Sequence, residues 1–228
     1  MNLESLILGI ICGLTIIILI VISFLTFNIF TTITNSSIYT SNSDVKKAHM
    51  YFLISFVILA ISIIVFIMAV VIVGYGKIKH GKGGTKYNRK EIIKELKEFA
   101  EKVKSGKAKK SDIKEAEIDE EILRSTSSGE RIFTLILFGI AFLSLVSLVL
   151  LSIGQSYLGK GKSASSKNGT ADSNLTKAST SAWYAIGLSL LSLCIIIVII
   201  GIKISSYLQD RKAIKETEQV IDSSPLAS

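Results

Sequence analysis

Cysteine and proline are nearly absent: two of the former and one of the latter in 228 residues. Cys12 and Cys194 both lie inside apolar stretches rather than in polar loops, so neither a disulfide framework nor a zinc site follows. The single proline, Pro225, falls in the last four residues. The broken helices that build transporter sites usually carry proline or clustered glycine within a span, and that signal is missing. Charge is missing in a more organised way. Leu6–Phe30, Met50–Gly76, Ile132–Gly159 and Ala178–Ile202 hold no charged side chain over 25, 27, 28 and 25 residues. These 105 residues are 46% of the chain, so all 44 charged side chains fall among the other 123. Such a distribution excludes a soluble globular domain, a disulfide scaffold and a disordered chain.

Each uncharged stretch exceeds the roughly 20 apolar residues that carry a helix across a bilayer core. The expected fold is therefore an all-α integral membrane protein with four transmembrane helices and a cytosolic, amphipathic helical loop between spans 2 and 3. The expected segments are a first helix over 1–30, an outer loop over 31–49, a second helix over 50–76 and a basic cytosolic loop over 77–131. A third helix over 132–158, an outer Ser/Lys loop over 159–180, a fourth helix over 181–203 and a cytosolic tail over 204–228 complete the plan. The first stretch reads as a span rather than a cleaved leader, because only Glu4 precedes it and its apolar run is too long for a signal h-region.

Basic residues set the expected orientation. The segment Lys77–Arg131 carries 16 Lys or Arg and the tail from Lys203 carries 4, against 6 in the other two connections. By the positive-inside rule both termini and the middle loop face the cytosol. Three Asn-x-Ser/Thr sequons, at Asn35, Asn168 and Asn174, fall in the loops assigned to the other side, with Asn168 and Asn174 the better-placed acceptors for glycosylation.

The middle loop has a pattern of its own. Asn88 with Glu91 forms a variant capping box that predicts a helix over about 88–104, closed by Ser105-Gly106. Along it Ile92, Leu96, Phe99 and Val103 recur at helical steps among Lys and Glu. Residues 77–110 carry net +9 and residues 111–131 net −4, so the second part can fold back on the first. Lys77, Lys79, Lys82, Lys86, Arg89 and Lys90 precede any acidic residue. Each such charge is attracted to an anionic leaflet by roughly 1 kcal/mol, so the loop is a candidate surface for anionic lipid headgroups or a protein partner, its apolar stripe dipping into the interface. The bland alternative is a solvated linker whose charges only orient the spans. Without aromatic interleaving beyond Tyr87, nucleic acid is disfavoured as a partner.

Two Gly-x-x-x-x-Gly-Lys matches, at Gly76–Lys82 and Gly154–Lys160, place glycine where a phosphate-binding loop needs Ser or Thr, and both follow apolar spans rather than strands. They read as membrane-boundary glycine and lysine. Within the spans, small residues carry the information. Gly9 and Gly13 form a Gly-xxx-Gly pair, Ser144, Ser147, Leu151 and Gly154 form a stripe on the third span, and Ala182, Ala185, Ser189 and Ser192 form one on the fourth. Such stripes predict helix packing, within one bundle or between copies, or the lining of a narrow polar path. Tyr51, Tyr157, Trp183 and Tyr184 at one set of ends, and Tyr75 and Tyr207 at the other, read as aromatic anchors.

His49 and His80 flank spans without ligand partners, and no Asp, Glu, Lys, Arg or His lies inside any of the four stretches. Intramembrane ionisable groups are the usual mark of proton relays, coupled transport and intramembrane catalysis. The expectation is accordingly not an enzyme, with no cofactor and no metal. It is a multi-pass protein with a structural or interaction role, anchoring an assembly, for example a viral internal membrane to its shell or core, through the loop and tail. The alternative is a small oligomeric pore.

Overall fold

The computed structural model describes residues 3–81, 89–167 and 172–222, with side chains over 6–71, 91–109, 111–124, 130–166 and 172–221. The chain is all-helical, with no strand among the described residues: α1 Leu3–Thr34, α2 Ser43–Gly81, α3 Arg89–Lys104, α4 Lys110–Lys167 and α5 Ser173–Asp222. Four of these helices, all but α3, are long and apolar enough to cross a membrane.

Helix extends well beyond the uncharged stretches. Most of the expected outer loop over 31–49 is helical, leaving a short connector at 35–42, and the expected loop over 159–180 is helix up to Lys167 and again from Ser173. The expected tail is helix to Asp222, and α4 begins 22 residues before Ile132. The reason is that charge ends a membrane crossing but does not end a helix. Lys, Glu, Ala and Ser continue the backbone ladder in water, and no proline interrupts it.

Helix ends lie where the chain supplies caps. Asn42 Oδ1 accepts from the backbone N–H of Asp44 (2.9 Å) and Val45 (3.2 Å), starting α2. Asp112 reaches back to the Lys109 N–H at 2.8 Å, the return half of a capping box at the start of α4. Gly106, at φ 68°, closes α3: its N–H donates to Val103 O (3.0 Å) and the Lys107 N–H to Lys102 O (2.9 Å), the paired bonds of a Schellman motif.

The described residues divide into two compact units, those of 3–68 with 136–199 and those of 69–135 with 200–222. In the first, Leu19, Ile22, Ile29 and Ile33 of α1, Val45, Ala48, Phe52 and Leu59 of α2, Leu151 and Leu158 of α4, and Leu175, Ala178, Ala182 and Ala185 of α5 form one buried cluster. The helices contribute at steps of three, four or seven, while Ile10, Ile17, Phe24, Ile64, Phe142 and Val198 stay exposed, an apolar exterior suited to lipid. In the second unit Ile92, Leu96 and Phe99 of α3 meet Ile113, Ala116 and Leu123 of α4 and Ala213 and Ile214 of α5.

Candidate functional site

Uncharged as the four stretches are, ionisable side chains are buried directly beside two of them. Glu130 and Lys203 lie two residues before Ile132 and one after Ile202. In the second unit they meet: Lys203 Nζ donates to Glu130 Oε1 at 2.8 Å, the two side chains only 6% and 11% exposed. The ammonium also lies 5.9 Å from the centre of the Phe133 ring. Glu130 Oε2 is buried with no hydrogen-bond partner among the described residues. Desolvating two charges is costly, and their attraction offsets that only while both are present. The arrangement is a paired contact between α4 and α5, and no group of three or more metal-ligating side chains occurs among the described residues.

Sequence reasoning misses this pair because it lies just outside the uncharged blocks that define the spans. A signal exists: Lys203 is the only charge between Ala178 and Gln209, an isolated basic residue within an otherwise uncharged stretch of 32 residues.

The same unit shows where the apolar stripe of the loop lies. Ile92, Leu96 and Phe99, candidates for a lipid or partner surface, are buried and Val103 is partly buried in one cluster with residues of α4 and α5. Lys82 and Lys86 lie outside the described residues, as do the side chains of Lys77, Lys79, Arg89 and Lys90. Exposed charge is abundant elsewhere on this unit: Lys94 pairs with Glu98 at 3.3 Å, and Arg124 bridges Glu120 (2.9 Å) and Glu218. Asp119 is half-buried on α4; burial first, then the charge and hydrogen bond of Glu95 and the charge of Glu115, push its carboxyl up to about 6.

In the first unit the small-residue stripes separate by position. A Cβ added at Gly9 or Gly13 would have nothing within 4 Å, so the Gly-xxx-Gly pair makes no close approach to the described residues of the chain. Gly154, by contrast, faces the Phe52 ring, which would be 3.2 Å from a Cβ, and Gly161 faces Val45 Cγ2 at 2.5 Å. Ser144, Ser147, Ala182, Ala185, Ser189 and Ser192 are all buried. Ser147 Oγ lies 2.7 Å from Ser55 Oγ, and Gln155 Nε2 donates to Ser179 Oγ at 2.9 Å.

At the ends of this unit, Asp172 ties the two connectors together. Its Oδ2 accepts from Ser36 Oγ (2.7 Å), Ser37 N (2.9 Å) and Ser37 Oγ (3.0 Å), while Oδ1 accepts from the Asn174 N–H at 2.9 Å and caps α5. Burial raises its pKa, but the hydrogen bonds from Ser36, Ser37 and Leu175 together outweigh that and hold the carboxylate below its usual range. Asn174 Nδ2, the atom a glycan would occupy, donates to Asn35 O at 2.8 Å. Asn168 lies outside the described residues. Tyr51 and Tyr157 stack with centres 5.7 Å apart, with Lys47 and Lys160 ammonium groups 5.4 and 5.1 Å from the Tyr157 ring, whereas Trp183 and Tyr184 are exposed.

No protein-family model, curated protein or solved structure matches the chain.

Proposed function

We propose that this is a noncatalytic, multi-pass membrane protein with an anchoring role, its second helical unit serving as the docking module for a protein assembly such as a shell or core beneath the membrane. The positive-inside bias supports placing that unit, with both termini, in the cytosol. One observation carries the reading: the apolar face of α3 is buried against α4 and α5, which leaves a folded module with a charged exterior. Such a surface favours a protein partner recognised by charge over shallow insertion into lipid. Anionic headgroups remain the second source of negative charge for its lysines.

Lys94, Lys97, Lys102, Lys104, Lys107 and Lys109 are exposed, so replacing all six by Gln leaves the core intact. Cross-linking mass spectrometry on the native membrane identifies the partner of the unaltered protein. The six-fold variant is expected to insert normally and to lose that partner. Retention of the partner by the variant overturns the proposal, and loss of binding only to anionic vesicles assigns the lysines to lipid instead.

A small oligomeric pore is the second reading, favoured by four uncharged spans, since a hydrophobic or hydroxyl-lined pore needs no charge. Purified protein in planar bilayers tests it: absence of conductance at every potential excludes the pore.

A further inference from the structure

Serine and threonine in a helix can give their hydroxyl proton to the carbonyl four residues back. Thr15, Thr26, Ser62 and Ser152 do so here, at 2.8, 2.8, 2.8 and 2.9 Å. Ser144, Ser189 and Ser192 do not. They are 3%, 3% and 1% exposed, and no described group partners their Oγ atoms.

These three hydroxyls share one level of the first unit. The Gln155–Ser179 hydrogen bond sets the register of the antiparallel helices α4 and α5. Eleven residues back along α4 from Gln155 is Ser144, and eleven forward along α5 from Ser179 is position 190, between Ser189 and Ser192. At 1.5 Å per residue Ser189 and Ser192 lie within about 3 Å of the level of Ser144 along the helix axes, and about 4.5 Å from each other. The Ser55–Ser147 pair occupies the next turn of α4. On α4 and α5 the next buried side chains beyond Ser147 are Leu151 and Ala185 on one side of this level, and Ile140 and Ile196 on the other, each fully covered.

Buried polar groups in folded proteins are almost always satisfied, and an internal water with two to four polar partners is the usual means where protein groups do not suffice. We infer that Ser144, Ser189 and Ser192 hold a structural water between α4 and α5, in a polar layer sealed by apolar side chains on both sides. This role is independent of the anchoring function. It also differs from a pore: the layer is a closed hydrated contact, not part of a continuous aqueous column.

The site is tested by thermal unfolding of the full-length protein in lipid nanodiscs. A reference variant, S62A/S152A, removes hydroxyls that bond only to their own helix. S144A/S189A/S192A is expected to lower Tm by about 3 °C or more relative to that reference. An unchanged or raised Tm overturns the inference, since alanine would then simply have relieved unpartnered hydroxyls. Water-edited solid-state NMR in bilayers supplies the second measurement, with faster magnetisation transfer from water to the amides of Ser144, Ser189 and Ser192 than to those of Leu151 and Ala185. A fall in Tm without this transfer means that the hydroxyls bond one another directly, and overturns the water site.

Discussion

Glu130 and Lys203 show how a single contact can be expensive to break and yet contribute little as a pair. Each partner is buried, so deleting one leaves the other charge desolvated without compensation. Glu130→Ala is expected to destabilise the second unit by about 3 kcal/mol, whereas Glu130→Met combined with Lys203→Met costs much less, because a buried pair exchanged for apolar side chains of similar volume is often neutral. Thermal unfolding of the two variants in one detergent checks the order. Asp119 acts in the opposite direction. Its folded pKa of about 6 lies above the ordinary carboxylate value, so the folded state holds more protons and loses stability as pH rises from about 4 to about 6. Asp119→Asn is expected to remove that slope and to raise stability at pH 7 by about 1 kcal/mol, a figure kept small because water screens a half-buried group. A denaturation series from pH 4 to pH 8 measures both effects.

At the scale of helices, α3 and the contact between α2 and α4 respond to different changes. Leu96 is 1% exposed at the centre of the cluster formed by α3, α4 and α5. Leu96→Ala is expected to cost about 3 kcal/mol through lost burial and a residual cavity. Hydrogen exchange should then accelerate across α3 while the amides of the first unit remain protected. In that unit, Gly161 allows α4 to approach Val45 of α2, and an added Cβ would meet Val45 Cγ2 at 2.5 Å. Valine is stiff at χ1, so Gly161→Ala forces a backbone shift and costs about 1–3 kcal/mol, read as a lower Tm. The heptad-like steps of α3 are visible in the sequence, but their destination is not. An apolar stripe specifies that it must be covered, and whether lipid, a partner or the chain's own α4 and α5 covers it depends on residues as far as 100 positions away or more.

For the whole molecule, the topology we propose has four crossings, both termini on one side and the basic segments in the cytosol. On that proposal, single cysteines introduced at Ser37 and Ser173 into a Cys12→Ser/Cys194→Ser background are expected to react with a membrane-impermeant maleimide from outside, and cysteines at Lys107 and Glu216 only after permeabilisation. The reverse pattern overturns the orientation. The division into two units has a counterpart in the chain's charge pattern: the described residues of the first unit include most of the uncharged stretches, and the second contains most of the charge.

By itself, the sequence determined the number of membrane-length helices, because about 20 uncharged apolar residues have few other stable environments. It also determined that α3 ends at Ser105-Gly106, because the turn there needs the left-handed conformation that glycine readily adopts. Tertiary structure alone decided which polar groups are buried and with what partners. Ser55 meets Ser147 across 92 residues, Glu130 meets Lys203 across 73, and Asp172 meets Ser36 across 136. None of these pairings is encoded locally. Each follows from the register in which long helices pack, and that register is set by the fit of many apolar side chains at once.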